Sequence, residues 1–161
     1  MSELIKEFKK VNPNVDRLYS LITADNVLYI NEDGCTVLMC AFEYYGRNKN
    51  CDSMIFMKLL EYDCNFRLQN KNNGTALMYA FMYYGDNPTC NCEIFMKLID
   101  NDCNFAAQTV YGDTALMYAL MFYGRNSKCN PKVFMKLLEN DCNFAAQTVY
   151  GDTNIQNGCD S

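Results

Sequence analysis

The chain has 161 residues, half of them hydrophobic, and a net charge of −5. No apolar run is long enough to span a bilayer, and the N-terminus lacks the apolar segment of a secretory signal. Acidic and basic residues are interspersed, so there is no basic stripe for a phosphate backbone. We therefore expect neither a membrane nor nucleic acid as a partner. Histidine is absent, which removes the commonest general base and metal ligand, so we expect neither an enzyme nor a cofactor.

The first 35 residues are predicted to form a degenerate repeat that caps one end of a stack. Residues 2–10 can form a short helix with Leu4, Ile5 and Phe8 on one face. Pro13 suits the first turn of a second helix, which we place at residues 15–23.

The rest of the chain repeats with a period of 39 residues, marked by threonines at 36, 75, 114 and 153. A fixed period in this range is typical of a stacked array, in which each unit buries its apolar face against its neighbours. The units are predicted at 36–74, 75–113 and 114–152, and residues 153–161 are the truncated start of a further repeat or a tail. Residues 101–114 are identical to residues 140–153, which indicates a recent duplication.

Each unit is predicted to contain two helices. The threonine caps the first helix, which a glycine at 46, 85 or 124 is expected to end in the left-handed conformation. A polar segment then leads to the second helix, and an extended finger follows, with Gly34, Gly74 or Gly112 at its turn. The apolar stripe of the first helix comprises Leu38, Ala41, Phe42 and Tyr45, then Leu77, Ala80, Phe81 and Tyr84, then Leu116, Ala119, Leu120 and Tyr123.

The repeated hexapeptide resembles the Thr-Pro-Leu-His-x-Ala signature of ankyrin repeats. It reads Thr-Val-Leu-Met-Cys-Ala at 36–41 and Thr-Ala-Leu-Met-Tyr-Ala at 75–80 and 114–119. The resemblance implies an all-α solenoid of helix-turn-helix units joined by finger-like β-turn loops. The unit departs from the usual length of about 33 residues by six residues between the helices, and Met39, Met78 and Met117 replace the histidine. The composition resembles ankyrin arrays of giant DNA viruses or AT-rich protists.

The resemblance also implies a non-enzymatic, monomeric module that holds another protein on its concave side. Its expected location is the cytoplasm, or the host cytoplasm if the source is viral. In the family, the fingers and the exposed edge of the first helix carry the contacts. Aromatic residues and methionine on such an edge are suited to anchor a partner, although the same side chains could instead pack internally. The candidate partner-binding residues are Glu43, Tyr44, Met82, Tyr83, Met121 and Phe122 on the helix edge, and Val110, Tyr111 and Asp113 on a finger.

Three alternatives remain open. The polar segments between the helices could form a functional ladder or a longer connection without a role. The periodic cysteines, such as Cys51, Cys90 and Cys129, could bind metal or act in redox chemistry, although their spacing does not give the paired ligands of a zinc site, and we predict no metal ligands. The chain could also be a truncated array without an independent function.

Overall fold

The computed structural model describes residues 1–101 and 104–140. The regular secondary structure of this part of the chain is helical, apart from one isolated antiparallel bridge between Ile30 and Thr36. Successive helix pairs lie side by side, as expected for a stacked array. The helices are α1 (Glu3–Phe8), α2 (Val15–Leu21), α3 (Ala24–Val27), α4 (Val37–Cys40, continued by a π-helical turn at Ala41–Tyr45), α5 (Ser53–Leu59), α6 (Ala76–Tyr84), α7 (Cys92–Asp100), α8 (Ala115–Met121, followed by a 3-10 turn at Tyr123–Arg125) and α9 (Pro131–Glu139).

The repeated threonines cap the first helices, as predicted. The hydroxyl oxygen of Thr36 accepts a hydrogen bond from the backbone N–H of Met39 at 3.3 Å. Thr75 and Thr114 make the same contact three residues onward. Each of these threonines thus satisfies one of the free N–H groups at the start of its helix, and this fixes where the first helix of the unit begins.

The core is a continuous column of aromatic rings that passes from one unit to the next. Phe56 on α5 contacts Phe42 of its own unit, with ring centres 4.7 Å apart, and Tyr84 of the next unit at 4.8 Å. Phe95 on α7 repeats this arrangement between Phe81 and Tyr123, at 4.6 and 4.7 Å. Because each second-helix ring is shared by two units, neither unit could bury its apolar face alone.

The glycines that end the first helices do not adopt the predicted left-handed conformation. Gly46 and Gly85 have φ values of −60° and −56°, and Gly124 lies within the 3-10 turn. Glycine is required at the first two positions for space, because a Cβ atom would lie 2.5 Å from the carbonyl oxygen of Phe42 or 2.4 Å from that of Phe81.

The left-handed residue of each finger lies two positions before the threonine. Gly34 and Gly112 occupy that position with φ values of 78° and 87°, whereas the middle finger uses Asn73 at 61°. Gly74, which we expected at this turn, is one residue later and packs against Tyr79. Backbone hydrogen bonds join neighbouring fingers, from Lys71 N to Asp33 O and from Val110 N to Asn72 O.

The longer connection of each unit contributes one asparagine to an asparagine ladder, which we define as Asn48, Asn87 and Asn126. The side-chain amide of Asn87 donates to the carbonyl oxygens of Gly46 and Asn48, at 2.6 and 2.9 Å. The amide of Asn126 donates in the same way to Gly85 and Asn87, at 2.8 and 2.9 Å. The longer connection therefore links adjacent units, a role that the sequence left open.

The N-terminal unit is held together by a buried carboxylate. Glu7 is 2% exposed, and its oxygens accept from Lys10, from Arg17 and from the backbone N–H of Asn14. Asn14 is the N-cap of α2, so Pro13 precedes the cap and is not in the first helical turn as predicted. The predicted tail at 153–161 lies outside the described residues.

Candidate functional site

The predicted helix-edge residues lie on the last turns of the first helices, beside residues that point into the core. Phe42 and Tyr45 are buried, and the intervening Glu43 and Tyr44 are partly exposed. The next unit repeats this alternation because a helix advances about 100° per residue. In the third unit Tyr123 is buried, but Leu120, which was predicted to belong to the apolar stripe, is only partly buried. We call the partly exposed residues the edge strip, which consists of Glu43, Tyr44, Met82, Tyr83, Met121 and Phe122.

A groove of about 480 Å³ opens along the edge strip, and three successive units contribute to its lining. Met82, Tyr83 and Phe122 line it on the helix side. The polar segments supply the other wall, and the guanidinium carbon of Arg47 lies 4.3 Å from the centre of the Tyr83 ring. The groove therefore combines large apolar side chains with charged residues at its margin. The residues contributed by the polar segments are Arg47, Lys49, Asp86, Asn87 and Pro88.

A smaller cleft of about 130 Å³ lies on the finger side of Met82 and Tyr83, and both residues line the two hollows. The amide of Asn70 donates to the hydroxyl oxygen of Tyr79 at 2.8 Å, which fixes one wall. Burial raises the pKa of Tyr79 and of Tyr83, so both phenols are neutral at physiological pH. The cleft is lined by Asn70, Asn72, Gly74, Met78, Tyr79, Met82, Tyr83, Thr109, Tyr111 and Tyr118.

The predicted finger residues have different surroundings. Val110 and Tyr111 are 47% and 54% exposed, and Tyr111 closes the small cleft. Asp113 is turned toward its own helix, where it accepts a hydrogen bond from the hydroxyl group of Tyr118 at 2.9 Å. Cys35, at the corresponding position of the first finger, is buried.

The residues of the edge strip do not all line the same groove. Tyr44 lies in a separate hollow of about 210 Å³ at the N-terminal end, where the Lys9 ammonium group is 4.6 Å from the centre of its ring. Met121 is 36% exposed on the third unit. The structure thus brings Met82, Tyr83, Phe122 and Tyr111 around two adjoining hollows and leaves Tyr44 further along the stack.

A family model described as ankyrin repeats, in three copies, matches residues 48–148, which is more than half of the chain. The chain belongs to the ankyrin-repeat family. This agrees with the all-helical architecture predicted from the repeated hexapeptide. Ankyrin repeats are in general protein-interaction modules and are typically not enzymes. A search of curated proteins finds no match. In the described part of the chain, no helix is both long enough and apolar enough to cross a membrane.

The cysteines of this ankyrin array are mainly packing residues in the described part of the chain. Burial raises the pKa of the Cys40, Cys64 and Cys90 thiols to about 12. Because the thiolate is the reactive and metal-binding form, burial acts against redox chemistry at these positions. Among the described residues, no group of three or more Cys, Asp or Glu side chains is placed to hold a metal ion.

Two sets of polar residues that shape the ankyrin surface were not singled out from the sequence. One is the asparagine ladder, and the other is the residue five positions before each threonine, which closes the finger. Asn70 there accepts from the N–H groups of Asn72 and Gly74, and Thr109 makes the equivalent contacts to Tyr111 and Asp113. In the sequence, these positions are marked only by the fact that polar residues recur there every 39 residues.

Proposed function

We propose that the chain is a non-enzymatic protein-interaction module that binds a partner protein through the edge strip and the adjoining fingers. The observation that carries this proposal is the convergence of Met82, Tyr83, Phe122 and Tyr111 around two connected hollows. Large, rigid side chains bury much area with little loss of conformational entropy, and aromatic residues dominate the binding energy of many interfaces.

The arrangement also supports rigid presentation. The aromatic column fixes the helices beneath the edge strip, and the asparagine ladder fixes the neighbouring polar segments. A partner therefore meets a surface that is already ordered, which lowers the entropic cost of binding. In this proposal the chain acts as a monomeric adaptor in the cytoplasm, a reducing compartment that suits its free cysteines.

The test is affinity capture from cytosolic lysate with a variant carrying Tyr44→Ala, Tyr83→Ala and Phe122→Ala beside the wild type. A Met54→Ala/Met135→Ala variant is the matched control, because these residues are 53% and 57% exposed on the second helices. We expect the triple variant to lose a captured protein, with each central anchor contributing about 2 kcal/mol or more, and the control to retain it.

The three edge rings are partly buried and contact the core, so folding must be measured in parallel. We expect the triple variant to remain helical by circular dichroism with a reduced melting temperature. If the folded triple variant captures the same protein as the wild type, binding does not use the edge strip. If the variant unfolds, the single substitution Tyr83→Ala replaces it in the same comparison.

A further inference from the structure

Two of the three edge rings are covered by a positive charge from the preceding part of the stack. The ammonium group of Lys9 lies 4.6 Å from the centre of the Tyr44 ring, and the guanidinium carbon of Arg47 lies 4.3 Å from the centre of the Tyr83 ring. Both distances fall within the range in which a cation is attracted to the face of an aromatic ring. The chain thus supplies its own cation at the first and second positions.

The third position lacks this cation. Phe122 follows Tyr83 by 39 residues, and the residue that follows Arg47 by 39 is Asp86. The third ring therefore has a carboxylate in the register where the second ring has a guanidinium group. Among the described residues, no cation lies over Phe122, and Asp86 forms no ion pair.

Phe122 and Asp86 line the same groove of about 480 Å³, and Asp86 is exposed. We propose that this part of the groove receives an arginine side chain of the partner protein, with the guanidinium group over Phe122 and paired with Asp86. The proposal rests on the proposed function, because it assigns a chemistry to one part of the same surface. The partner's arginine would then cover Phe122 in the way that Arg47 covers Tyr83.

Arginine fits these two residues better than the other charged side chains do. Its planar guanidinium group stacks on an aromatic face and pairs with both oxygens of a carboxylate at once, whereas an ammonium group acts as a compact, strongly hydrated charge. An acidic side chain at Phe122 would face the Asp86 carboxylate. Arg47 and Lys49 also line the groove, and Arg47 lies over the Tyr83 ring. Acidic residues of the partner are therefore favoured beside Tyr83 and not beside Phe122.

The probe for this inference is the capped tripeptide acetyl-Gly-Arg-Gly-amide, titrated into the ¹⁵N-labelled full chain and followed by NMR. We expect saturable shifts at residues 86, 87 and 122, with a dissociation constant of about 1–10 mM, as is reasonable for a single side chain. The citrulline tripeptide, which keeps the shape of arginine without its charge, should bind at least about three-fold more weakly. The glutamate tripeptide should not move the Phe122 resonances.

Substitutions separate the ring from the charge. Phe122→Leu keeps an apolar side chain without a ring, and Asp86→Asn keeps the shape without the charge; each should weaken binding about three-fold. Asp86→Arg reproduces the residue found at position 47, so it should cover Phe122 from within the chain and abolish binding. Met54→Ala, on the second helix of another unit, should have no effect.

Equal binding of the citrulline peptide, stronger shifts with the glutamate peptide, or no saturable shift at Phe122 would each overturn the inference. These outcomes are independent of the affinity capture described above. If the edge strip captures a partner but the arginine peptide does not bind at Phe122, the interaction surface stands and the arginine assignment is wrong. If the peptide binds and no partner depends on the edge strip, the proposed function fails instead.

Discussion

The side-chain amide of Asn87 donates a hydrogen bond to the backbone carbonyl of Asn48, 39 residues earlier, at 2.9 Å. Asn87 is itself a repeat of Asn48, and its own carbonyl accepts from Asn126 at 2.9 Å. One residue type thus acts as donor to the preceding unit and as acceptor for the following one. The longer connection of each repeat therefore stabilises the array through hydrogen bonds between adjacent units.

Replacing Asn87 by aspartate tests the asparagine ladder with almost no change in shape. The substitution removes both donated hydrogen bonds and places a carboxylate against the carbonyl oxygens of Gly46 and Asn48, where Asn87 is 6% exposed. We expect a loss of about 3 kcal/mol in the free energy of unfolding at neutral pH, measured by urea denaturation. The loss should shrink in acid, because protonation of the new carboxyl removes the charge and restores a donor.

Asn48→Asp is the matched control. Asn48 makes the same local turn contact as Asn87, but its amide donates only one longer bond, 3.3 Å to the carbonyl of Val11, at an exposed site. This variant should cost about 1 kcal/mol or less. Equal losses in the two variants would show that the bonds between units do not stabilise the stack.

Gly85→Ala should destabilise the protein, and Gly124→Ala should not. A Cβ atom at Gly85 would lie 2.4 Å from the carbonyl oxygen of Phe81 and 3.1 Å from the backbone nitrogen of Tyr123, whereas its nearest neighbours at Gly124 are at 3.6 Å. We expect a net loss of about 1–3 kcal/mol for Gly85→Ala and a change near zero for Gly124→Ala. Thermal melts of the two proteins check this, and similar melting temperatures would contradict the steric explanation for glycine at position 85.

The sequence predicted the parts of the fold that depend on local chemistry and period. The threonine caps and the apolar stripes follow from hydrogen-bond chemistry and helix geometry, and Thr75 with Phe81 shows both in one unit. The predicted left-handed conformation of Gly85 was wrong. A glycine can be needed either for a left-handed backbone or because there is no space for a Cβ atom, and the sequence alone does not distinguish the two reasons. The left-handed conformation of Asn73 was not predicted, because the neighbouring Gly74 is the residue type that adopts it most easily.

The candidate site was predictable only as a set of positions. Helical period placed Tyr83 and Phe122 at the edge of the first helices, and both line the same groove. The partners of these rings come from residues far away in sequence, such as Arg47 over Tyr83, and no local pattern indicates which cation covers which ring. The assignment of these residues to partner binding stays a prediction.

The stability of the N-terminal unit should depend on the charge of Glu7. The hydrogen bond from Lys10, followed by that from the backbone N–H of Asn14, holds the pKa of the Glu7 carboxyl below its usual value. A lowered folded-state pKa gives stability that is present above the unfolded value of about 4.3 and is lost as the pH falls through the folded value. We expect wild type to melt above Glu7→Gln at pH 7, with the difference shrinking once the pH falls below the unfolded value and lost below the lowered folded-state pKa. A difference that stays constant from pH 7 to pH 3 would contradict this account.

Thiol labelling should follow burial. Cys40, Cys64 and Cys90 are buried with pKa values raised to about 12, whereas Cys92 is only partly buried. Because the thiolate is the nucleophile, iodoacetamide should modify Cys92 before Cys40, Cys64 and Cys90 at pH 8, and those three buried thiols should react only on unfolding. Peptide mass spectrometry gives the order, and fast labelling of Cys90 in the folded protein would revive the redox alternative.

The most direct measurement of the central claim is hydrogen exchange of the chain alone and in complex with a protein that it captures. If the partner lies on the edge strip and fingers, amides at residues 82–88, 110–113 and 122–126 should gain protection, and those of the second helices α5, α7 and α9 should be unchanged. Protection confined to the second helices would place the partner on the opposite face and contradict the account.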